Sequence, residues 1–469
     1  MDLSDPRERE GWRAHLGGIF TGRKVMCGIA PLAALNDLVG ILASVGADKP
    51  LLVATSRGAG PVPSPDEADV VTFEVEPAAT MTEDLRRHNH LVRNLPDRVR
   101  RRVEDYDPDR EAVWCVGPFI HTSPIDGRAV VGGRAASWAA LEDKLLVEEI
   151  WAAVGYPASD ARVVAVDEEA LRAASAELDL GHGVVWSGDA RDGFNGGGEF
   201  VRWVVDAEER SAAFDFFKPR CDRVRVMPFL EGVPCSIHGI VLHDGTAAFR
   251  PLELATLRDE SRSFVFGGQG TFWDPADGDR EQMRDLVRRT GEHLRARVGY
   301  RGAFGIDGVL TSDGFRPTEL NPRFSGGMNR LARAVDFPIF SLLQFNLAAG
   351  RDPRVTVEEL ESWALTAMDR QRICTPLAIS EQRVVDDSQD LALSWDGSEL
   401  ARSEEPAGIT LTIGPAPTGT FSKLSVEGTL HVGDRMAPLN AALMRFLDKE
   451  FGTTFGAVEA APDVRPVRP

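Results

Sequence analysis

Residues 303–327 read AFGIDGVLTSDGFRPTELNPRFSGG, and this is the most informative stretch of the chain. Two runs of β-favouring apolar residues, 303–310 and 315–321, flank the tripeptide SDG at residues 312–314. That tripeptide has the composition of a short hairpin loop that ends with glycine in the left-handed position. The pattern therefore predicts an antiparallel β-hairpin.

The loop length sets which side chains meet across this hairpin. With a three-residue loop, Thr311 lies opposite Phe315, and counting back along the ladder places Asp307 opposite Glu319. Asn321 shares their face because strand side chains alternate. Two carboxylates and a carboxamide are hard oxygen donors that suit Mg²⁺, which also takes oxygens from nucleotide phosphates. The spacing favours a metal and nucleotide site over the alternative, a solvated hairpin with scattered acids.

The residues after the second strand extend the pattern. Arg323 can fork onto phosphate or carboxylate, and small residues follow at Ser325, Gly326 and Gly327. A Gly-x-Asp strand and, about a dozen residues later, Glu-x-Asn-Pro-Arg together resemble the metal-binding end of the ATP-grasp ligases. The resemblance implies a carboxylate-amine ligase that uses ATP and two Mg²⁺ ions, with Mn²⁺ as an alternative. It also implies that Arg323, Ser325 and Gly326 contact the reacting groups.

Composition excludes several other classes of protein. The chain has 469 residues, 43 % of them hydrophobic, which is enough for two to four domains with buried cores. A net charge of -19 and the absence of a basic stripe argue against nucleic acid as a partner. No apolar run is long enough to span a membrane, and the N-terminal residues are charged, so we expect a cytoplasmic protein. Five cysteines without a CxxC pair are expected to be reduced thiols.

Four units are expected along the chain, in a mixed α/β and α+β fold. The pattern of residues 24–54 is apolar strand, helix and apolar strand, which predicts a parallel α/β domain. With the resemblance, the units are a pre-grasp α/β domain (1–130), the small grasp subdomain (131–225), the large grasp subdomain with the metal site (226–355) and a β-rich C-terminal domain with a disordered tail (356–469).

The segment 225–232 resembles the hinge between the two grasp subdomains. The resemblance implies that the carbonyl of Pro228 accepts from the adenine amino group and that the N–H of Leu230 donates to the ring. Proline suits this position because it keeps its carbonyl. A buried strand that enters a turn is the alternative. The nucleotide contacts implied for this segment are Met227, Pro228, Phe229, Leu230 and Glu231, the last as a weak substitute for a ribose-binding acid.

Three glycines, Gly196, Gly197 and Gly198, occupy the place of the family's loop over the β and γ phosphates. Their unhindered N–H groups can approach phosphate oxygens, although a plain hairpin turn is the alternative. Lys144 matches the first ATP-binding lysine of the family and is expected on a helix over residues 139–154. A solvated surface lysine is the alternative there.

The family's second lysine is missing. Its place in the strand before the glycines is taken by Trp186, which carries no charge. Either Arg191 or Arg202 reaches the phosphates instead, or the nucleotide contact differs, or the activity is impaired. The glycine-rich segment 256–273 is expected to be a mobile loop, with a lid over the substrate as one interpretation.

The resemblance also implies the partners of the chain. We expect small-molecule carboxylate and amine or peptide substrates. A homodimer is one alternative for the oligomeric state. The N-terminal and C-terminal additions are similar to those of amino-acid and peptide ligases of natural-product pathways, such as the pheganomycin-type peptide ligases. Two alternatives are an acyl-phosphate former with a thiol acceptor and an ATP-binding regulatory module without catalysis.

Overall fold

A parallel sheet forms the N-terminal part of the computed structural model, which describes residues 1–76, 78–189, 196, 198–259, 263–405 and 408–465, without the side chain of Met81. Its strands are β1 (Val25–Ala30), β2 (Leu51–Ala54), β3 (Asp69–Thr72), β4 (Val113–Cys115) and β5 (Val130–Val131), and its helices are α1 (Pro6–Gly17), α2 (Leu32–Ser44), α3 (Met81–Arg93) and α4 (Asp97–Tyr106). The strand order is β3-β2-β1-β4-β5. β1 and β2 are almost fully buried, as in a parallel sheet covered on both faces. The expected α/β fold is confirmed here.

A broken helical segment connects this sheet to the next. It consists of α5 (Ala136–Ala139), a 3₁₀ turn (Ala140–Glu142) and α6 (Val147–Ala153). The single helix predicted over residues 139–154 is therefore wrong. Asp143 adopts an extended conformation with ψ 117°, and its carboxylate accepts from the N–H of Leu145 at 2.9 Å. This local hydrogen bond competes with the helix and places Lys144 in a turn.

The second sheet is antiparallel and covered by two helices. Its elements are β6 (Arg162–Ala165), α7 (Glu168–Leu178), β7 (Val184–Gly188), β8 (Val201–Val204), α8 (Ala207–Phe217) and β9 (Arg223–Pro228), with strand order β6-β9-β7-β8. Alternate strand residues such as Val184, Trp186 and Val226 pack with the helices in one core. The opposite face, which we call the cleft face, carries Val185 and Arg225 and turns toward the third sheet.

The third sheet contains the predicted hairpin. Its first part consists of β10 (Val233–Val241), β11 (Thr246–Ala248), β12 (Leu252–Asp259), β13 (Phe264–Gly270), α9 (Asp277–Val298), β14 (Gly302–Thr311), β15 (Gly314–Asn321), α10 (Gly326–Arg333), α11 (Phe337–Ala348) and α12 (Val357–Arg370). The strands follow the order β15-β14-β10-β12-β13. Apolar side chains of β10, β14 and α9 form a buried core beneath the hairpin. That core fixes the strands from which the polar residues project.

The C-terminal strands continue the same sheet. They are β16 (Cys374–Ser380), β17 (Gln389–Trp395), β18 (Leu400–Arg402), β19 (Ile409–Ala416), β20 (Gly419–Val426), α13 (Ala437–Phe451) and β21 (Val458–Ala460). β16 pairs with β13, and β21 pairs with β12. Beyond β21, Arg465 forms an ion pair with Asp279, so the chain has defined contacts as far as that residue. Within the described residues, no helix has the length and apolarity needed to cross a membrane.

The mobile loop predicted over residues 256–273 is instead largely strand. β12 and β13 pair in antiparallel register through this segment, with Thr256 opposite Phe266. The glycines there serve close packing, because a Cβ at Gly268 would lie 2.1 Å from the carbonyl oxygen of Thr375 in the next strand. Glycine composition alone does not distinguish such a crowded strand from a loop. Residues 260–262, including Arg262, lie outside the described part of the chain.

Candidate active site

The hairpin brings together the three predicted metal ligands, although its register is reached by a different route. Thr311 pairs with Gly314, so the loop has two residues and not three. A bulge follows between Asp307 and Gly308 and restores the predicted pairing of Asp307 with Glu319. The two differences cancel, since one residue fewer in the loop is offset by one extra residue in the strand.

A third strand completes this polar face. In β10, Ser236 pairs with Asp307 and His238 pairs with Gly305, so both share the face of the hairpin acids. The hydroxyl of Ser236 donates to one oxygen of Asp307, and the carboxamide of Asn321 donates to the other at 2.9 Å. Neither serine nor histidine was singled out from the sequence as part of the site. Their spacing of two within an apolar strand was the available sign.

The electrostatics of the pair suit a cation. Burial raises the pKa of Asp307 to about 6, and the nearby carboxylate of Glu319 adds to the effect. Two carboxylates held on one face repel each other, and a divalent cation would relieve that repulsion. Among the described residues, no three or more His, Cys, Asp and Glu side chains are grouped so that they could hold a metal ion by themselves. With Asn321 the set still supplies three oxygen-bearing side chains, which fits Mg²⁺ that also binds phosphate oxygens and water.

Lys144 lies in this site. Its ammonium nitrogen is 3.3 Å from Oε2 of Glu319, and the residue is only 7 % exposed. The alternative of a solvated surface lysine does not describe this position. The turn at Asp143 that breaks the helix is what directs the side chain to the hairpin.

Arg323 is held by two acceptors. Its Nε donates to Glu142 at 2.7 Å, and its Nη2 donates to Asn321 at 2.8 Å. Glu142 also accepts from Arg134, and the guanidinium carbons of Arg323 and Arg134 lie 4.8 and 5.7 Å from the ring centroid of Phe119. A buried carboxylate thus fixes the orientation of two cations. Glu142 was missed because its contact with Arg323 spans 181 residues of sequence, and Arg134 was missed because it joins the site through Glu142.

The small residues after the hairpin begin helix α10. Ser325 is the N-cap residue, and its hydroxyl lies 2.9 Å from Nε2 of His238. Burial lowers the pKa of His238 to about 3, and Arg323 adds to the effect, so the ring is neutral. A Cβ at Gly327 would lie 2.3 Å from this ring, whereas Gly326 is exposed. These residues therefore form one packed unit with an open backbone at Gly326.

The predicted hinge lies between the second and third sheets. Pro228 ends β9, and the N–H of Phe229 donates to the carbonyl of Gly183 at 3.0 Å. The N–H of Leu230 has no hydrogen-bond partner within the described residues, which leaves a donor for a ligand. Met227 is buried, and its sulfur accepts from Arg225 at 3.2 Å.

Aromatic stacking surrounds this hinge. The ring of Phe229 is stacked on Trp203 with centroids 4.0 Å apart, and Phe264 is parallel to it at 6.5 Å. Arg258 covers Phe229 at 4.8 Å and binds both carboxylate oxygens of Glu231 at 2.6 and 3.2 Å. Glu231 is thus engaged by an arginine, and a ribose contact would have to share its carboxylate.

The glycine loop approaches the N-terminal domain. The N–H of Gly196 donates to the hydroxyl of Thr82 at 3.2 Å, and Thr82 lies in the first turn of α3. Gly198 has a positive φ of 76°, and Gly197 lies outside the described residues. We therefore keep the phosphate role of these glycines as a prediction.

Trp186 does not face the cleft. Its side chain is fully buried in the core beneath α7 and α8, and its ring N–H donates to Ser175 at 3.0 Å. Arg202 pairs with Trp186 on that same face and stacks over Phe216 of α8 at 3.9 Å. A shift of one residue along a strand exchanges its two faces. The side chain of Trp186, at the position of the missing lysine, therefore lies away from the cleft face, and the nucleotide contact expected at this position stays a prediction. Arg191 lies outside the described residues.

Arg225 is a cation of the cleft face that the sequence reasoning missed. It lies opposite Ser187, is 2 % exposed, and donates through Nε to Glu148 at 2.8 Å. Its Nη1 is 3.5 Å from the carbonyl oxygen of Thr318 in the hairpin. It therefore bridges the second sheet and strand β15 of the hairpin.

Comparison with known proteins identifies the fold. No protein-family model matches the chain, and no curated protein matches it. An N5-carboxyaminoimidazole ribonucleotide synthetase, solved as an ADP complex, is similar over 92 % of this chain and 98 % of its own, with a TM-score of 0.51 and 10 % sequence identity. The chain has the ATP-grasp fold. The mixed α/β and α+β class expected from the sequence is thereby confirmed.

Two further ATP-grasp structures agree. The biotin carboxylase domain of Hydrogenobacter thermophilus 2-oxoglutarate carboxylase has a TM-score of 0.55 and 15 % identity, and covers 93 % of this chain and 91 % of its own. A carboxyaminoimidazole ribonucleotide synthase from Aspergillus clavatus has a TM-score of 0.51 and 11 % identity, over 94 % and 100 %. The first was solved with MgADP, ADP and bicarbonate, and the second with ATP. At these identities the likeness establishes the fold.

Proposed function

We propose that the chain is an ATP-dependent, ADP-forming ligase that joins a carboxylate to an amine and makes an amide or peptide bond. The observation that carries the proposal is the convergence of Asp307, Glu319, Asn321 and Lys144 on one face of the hairpin, within an ATP-grasp fold. In this proposal Asp307, Glu319 and Asn321 hold Mg²⁺, which when bound neutralises the phosphate oxygens.

The chain's own residues account for the other requirements. Lys144 would bind phosphate oxygens, and the open N–H of Leu230 would bind adenine. A carboxylate oxygen of the substrate attacks the γ-phosphorus, the bond to the β-phosphate oxygen breaks, and ADP leaves. The amine then attacks the acyl carbon, phosphate leaves with the electron pair, and the nitrogen loses a proton. Arg323, whose orientation is fixed by Glu142, would stabilise the developing negative oxygen.

The test is ADP release with amino acids and short peptides as the carboxylate and amine, with product mass as the second readout. We expect release to need both substrates and Mg²⁺. We expect Ala at Asp307, Glu319 or Asn321 to abolish it while the circular dichroism spectrum is retained. Full activity in all three variants would contradict the metal assignment.

Two outcomes would instead support the alternatives. Release with the carboxylate alone, trapped by hydroxylamine, would indicate an acyl-phosphate former that uses another acceptor such as a thiol. Nucleotide binding with no release for any pair would indicate a regulatory module. That module would agree with the absence of a lysine at Trp186.

A further inference from the structure

Arg330 is an arginine without a partner. It lies on α10, one helical turn after the exposed Gly326, and it is part-buried. Among the described residues its guanidinium has no hydrogen bond and no ion pair, although the chain carries a net charge of -19. Within the described part of the chain, the four fully buried arginines each have a carboxylate partner: Arg128 with Asp107, Arg134 with Glu142, Arg225 with Glu148 and Arg250 with Asp274.

The charge of Arg330 is not neutralised by its neighbours. Asp37 of α2 is the acid whose charge acts on Arg330, but its carboxylate accepts a hydrogen bond from Arg333. Arg333 also donates to Asn329. Burial lowers the pKa of Arg330 to about 10, and the charge of Arg333 adds to this, whereas Asp37 and Cys374 oppose it. A cation that is partly removed from solvent and has no anionic partner is less stable than a paired one, and an anionic ligand would stabilise it.

A second polar side chain lies beside the first residue of the same helix. Gln269 of β13 makes no side-chain hydrogen bond among the described residues, and its Oε1 would lie 3.1 Å from a Cβ at Gly326. Gln269 lies opposite Thr375 in the neighbouring strand β16. The residue before Thr375 is Cys374, which is one of the groups that affect the pKa of Arg330. A guanidinium and a carboxamide on adjacent elements, both without partners, form a binding site for a planar oxyanion.

This site lies next to the candidate catalytic residues. Arg330 is about 6 Å along the helix from Gly326, since four residues each rise 1.5 Å. Ser325, which precedes Gly326, contacts His238, and Arg323 is two residues earlier. The ends of a small substrate could therefore reach Arg323 and Arg330 together.

We propose that Arg330 and Gln269 bind the free carboxylate of the amine substrate, which makes that substrate an amino acid or a short peptide with a free C-terminus. The role as amine substrate rests on the proposed ligase activity, whereas the binding of a carboxylate does not. A carboxylate is favoured because the fork of Arg330 matches its two oxygens in one plane.

The experiment measures binding first. The twenty amino acids and their α-amides, with Mg²⁺ and ADP present, are the probes, and inorganic phosphate is a separate arm. We expect at least one free amino acid to raise the melting temperature when its amide does not. Arg330→Gln should weaken that binding roughly tenfold or more, and Gln269→Leu should weaken it less. Arg330→Lys keeps the positive charge but loses the two parallel N–H donors of the guanidinium, so it should restore the binding only in part.

Arg402→Gln is the control. It makes the same chemical change at an arginine of β18 that has its own carboxylate partner, Glu450, and it should leave the probe binding intact. Equal responses to acid and amide would overturn the proposal. So would unchanged binding in Arg330→Gln, a larger response to phosphate than to any carboxylate, or no response to any probe.

Turnover separates this inference from the proposed function. If amino acids bind through Arg330 but ADP is never released, the carboxylate site stands and the ligase proposal fails. If ADP release needs both substrates and Arg330→Gln leaves the KM for the amine unchanged, the ligase proposal stands and the carboxylate site is wrong.

Discussion

The ammonium nitrogen of Lys144 lies 3.3 Å from Oε2 of Glu319, so a cation from the broken helical segment and a carboxylate from the hairpin share one site. Such a lysine can exchange one anionic partner for another when phosphate oxygens arrive. We expect Lys144→Gln to raise the KM for ATP roughly tenfold or more, because one charge-assisted contact is lost. Steady-state ADP release measures it.

Lys218→Gln is the control for this prediction. Lys218 is an exposed lysine whose ammonium lies 5.0 Å from the centroid of the Phe214 ring. It follows α8, on the face of the second sheet that the helices cover, and it is far from the hairpin in sequence. It should leave the KM for ATP unchanged. An unaltered KM in Lys144→Gln would show that Lys144 serves the fold and not the nucleotide.

Asp307→Asn should remove activity and yet stabilise the metal-free protein. The pKa of Asp307 is raised to about 6, so above that pH the folded state holds a carboxylate that the unfolded state accommodates more readily. The ionised carboxylate of Asp307 therefore destabilises the folded state, and this effect is absent below about pH 4 and complete above about pH 6. The amide should therefore gain about 1 to 3 kcal/mol at pH 7.5, measured by urea unfolding in EDTA. A loss of stability there would contradict this account.

The sequence predicted what depends on short-range periodicity. The hairpin, the shared face of Asp307 and Glu319, and the parallel N-terminal sheet all follow from strand alternation and turn composition. Even so, the register of the hairpin was right through two offsetting errors. The bulge at Thr318 could not be located from composition, because threonine is an ordinary strand residue.

Features that depend on tertiary packing were not predictable. The strand phase at Trp186 is set by the helices that cover one face, and those contacts are long-range. The contact of Glu142 with Arg323 joins residues far apart in the chain, and the segment 256–273 looked like a loop because crowded strands also select glycine. Hydrophobic pattern gives the elements, but their mutual packing selects which polar residues meet.

Trp186→Phe tests the corrected strand phase. The substitution removes a buried hydrogen bond to Ser175 and part of a large side chain, so we expect a loss of about 1 to 3 kcal/mol in the free energy of unfolding. The KM for ATP should not change, since the ring lies on the helix side of the sheet. A KM raised without loss of stability would place the indole near the nucleotide after all.

Glu142→Gln tests whether Arg323 must be oriented. The substitution replaces the carboxylate that accepts from Arg323 and Arg134 with an uncharged amide, so the guanidinium of Arg323 loses a fixed direction. We expect kcat to fall roughly tenfold or more with the KM for ATP unchanged. Glu177→Gln, which removes an exposed partner of Arg162, is the matched control. Equal losses in kcat and in ATP affinity would indicate general disruption of the site.

We expect His238 to give the free energy of unfolding a specific pH dependence. Its pKa is about 3 in the folded protein and about 6.5 in an unfolded chain, so between these values the unfolded state binds the extra proton. The stability that the neutral ring contributes is therefore present above about pH 6.5 and is lost progressively as the pH falls toward 3. Between pH 7.5 and pH 5 the loss should be about 2 kcal/mol, and His238→Gln should not show it.

The measurement is urea unfolding of both proteins at the two pH values, compared as a difference of differences. His243→Gln provides the surface control, since the side chain of His243 is 60 % exposed and should leave the pH dependence as it is in the parent protein. Because His238 bonds Ser325 and packs against Gly327, its protonation would also place a positive charge against the N-terminus of α10, where it is unfavourable. Identical pH slopes for the parent and His238→Gln would mean that the ring accepts a proton within the fold, and that the polar face of the hairpin is more open to water than its burial indicates.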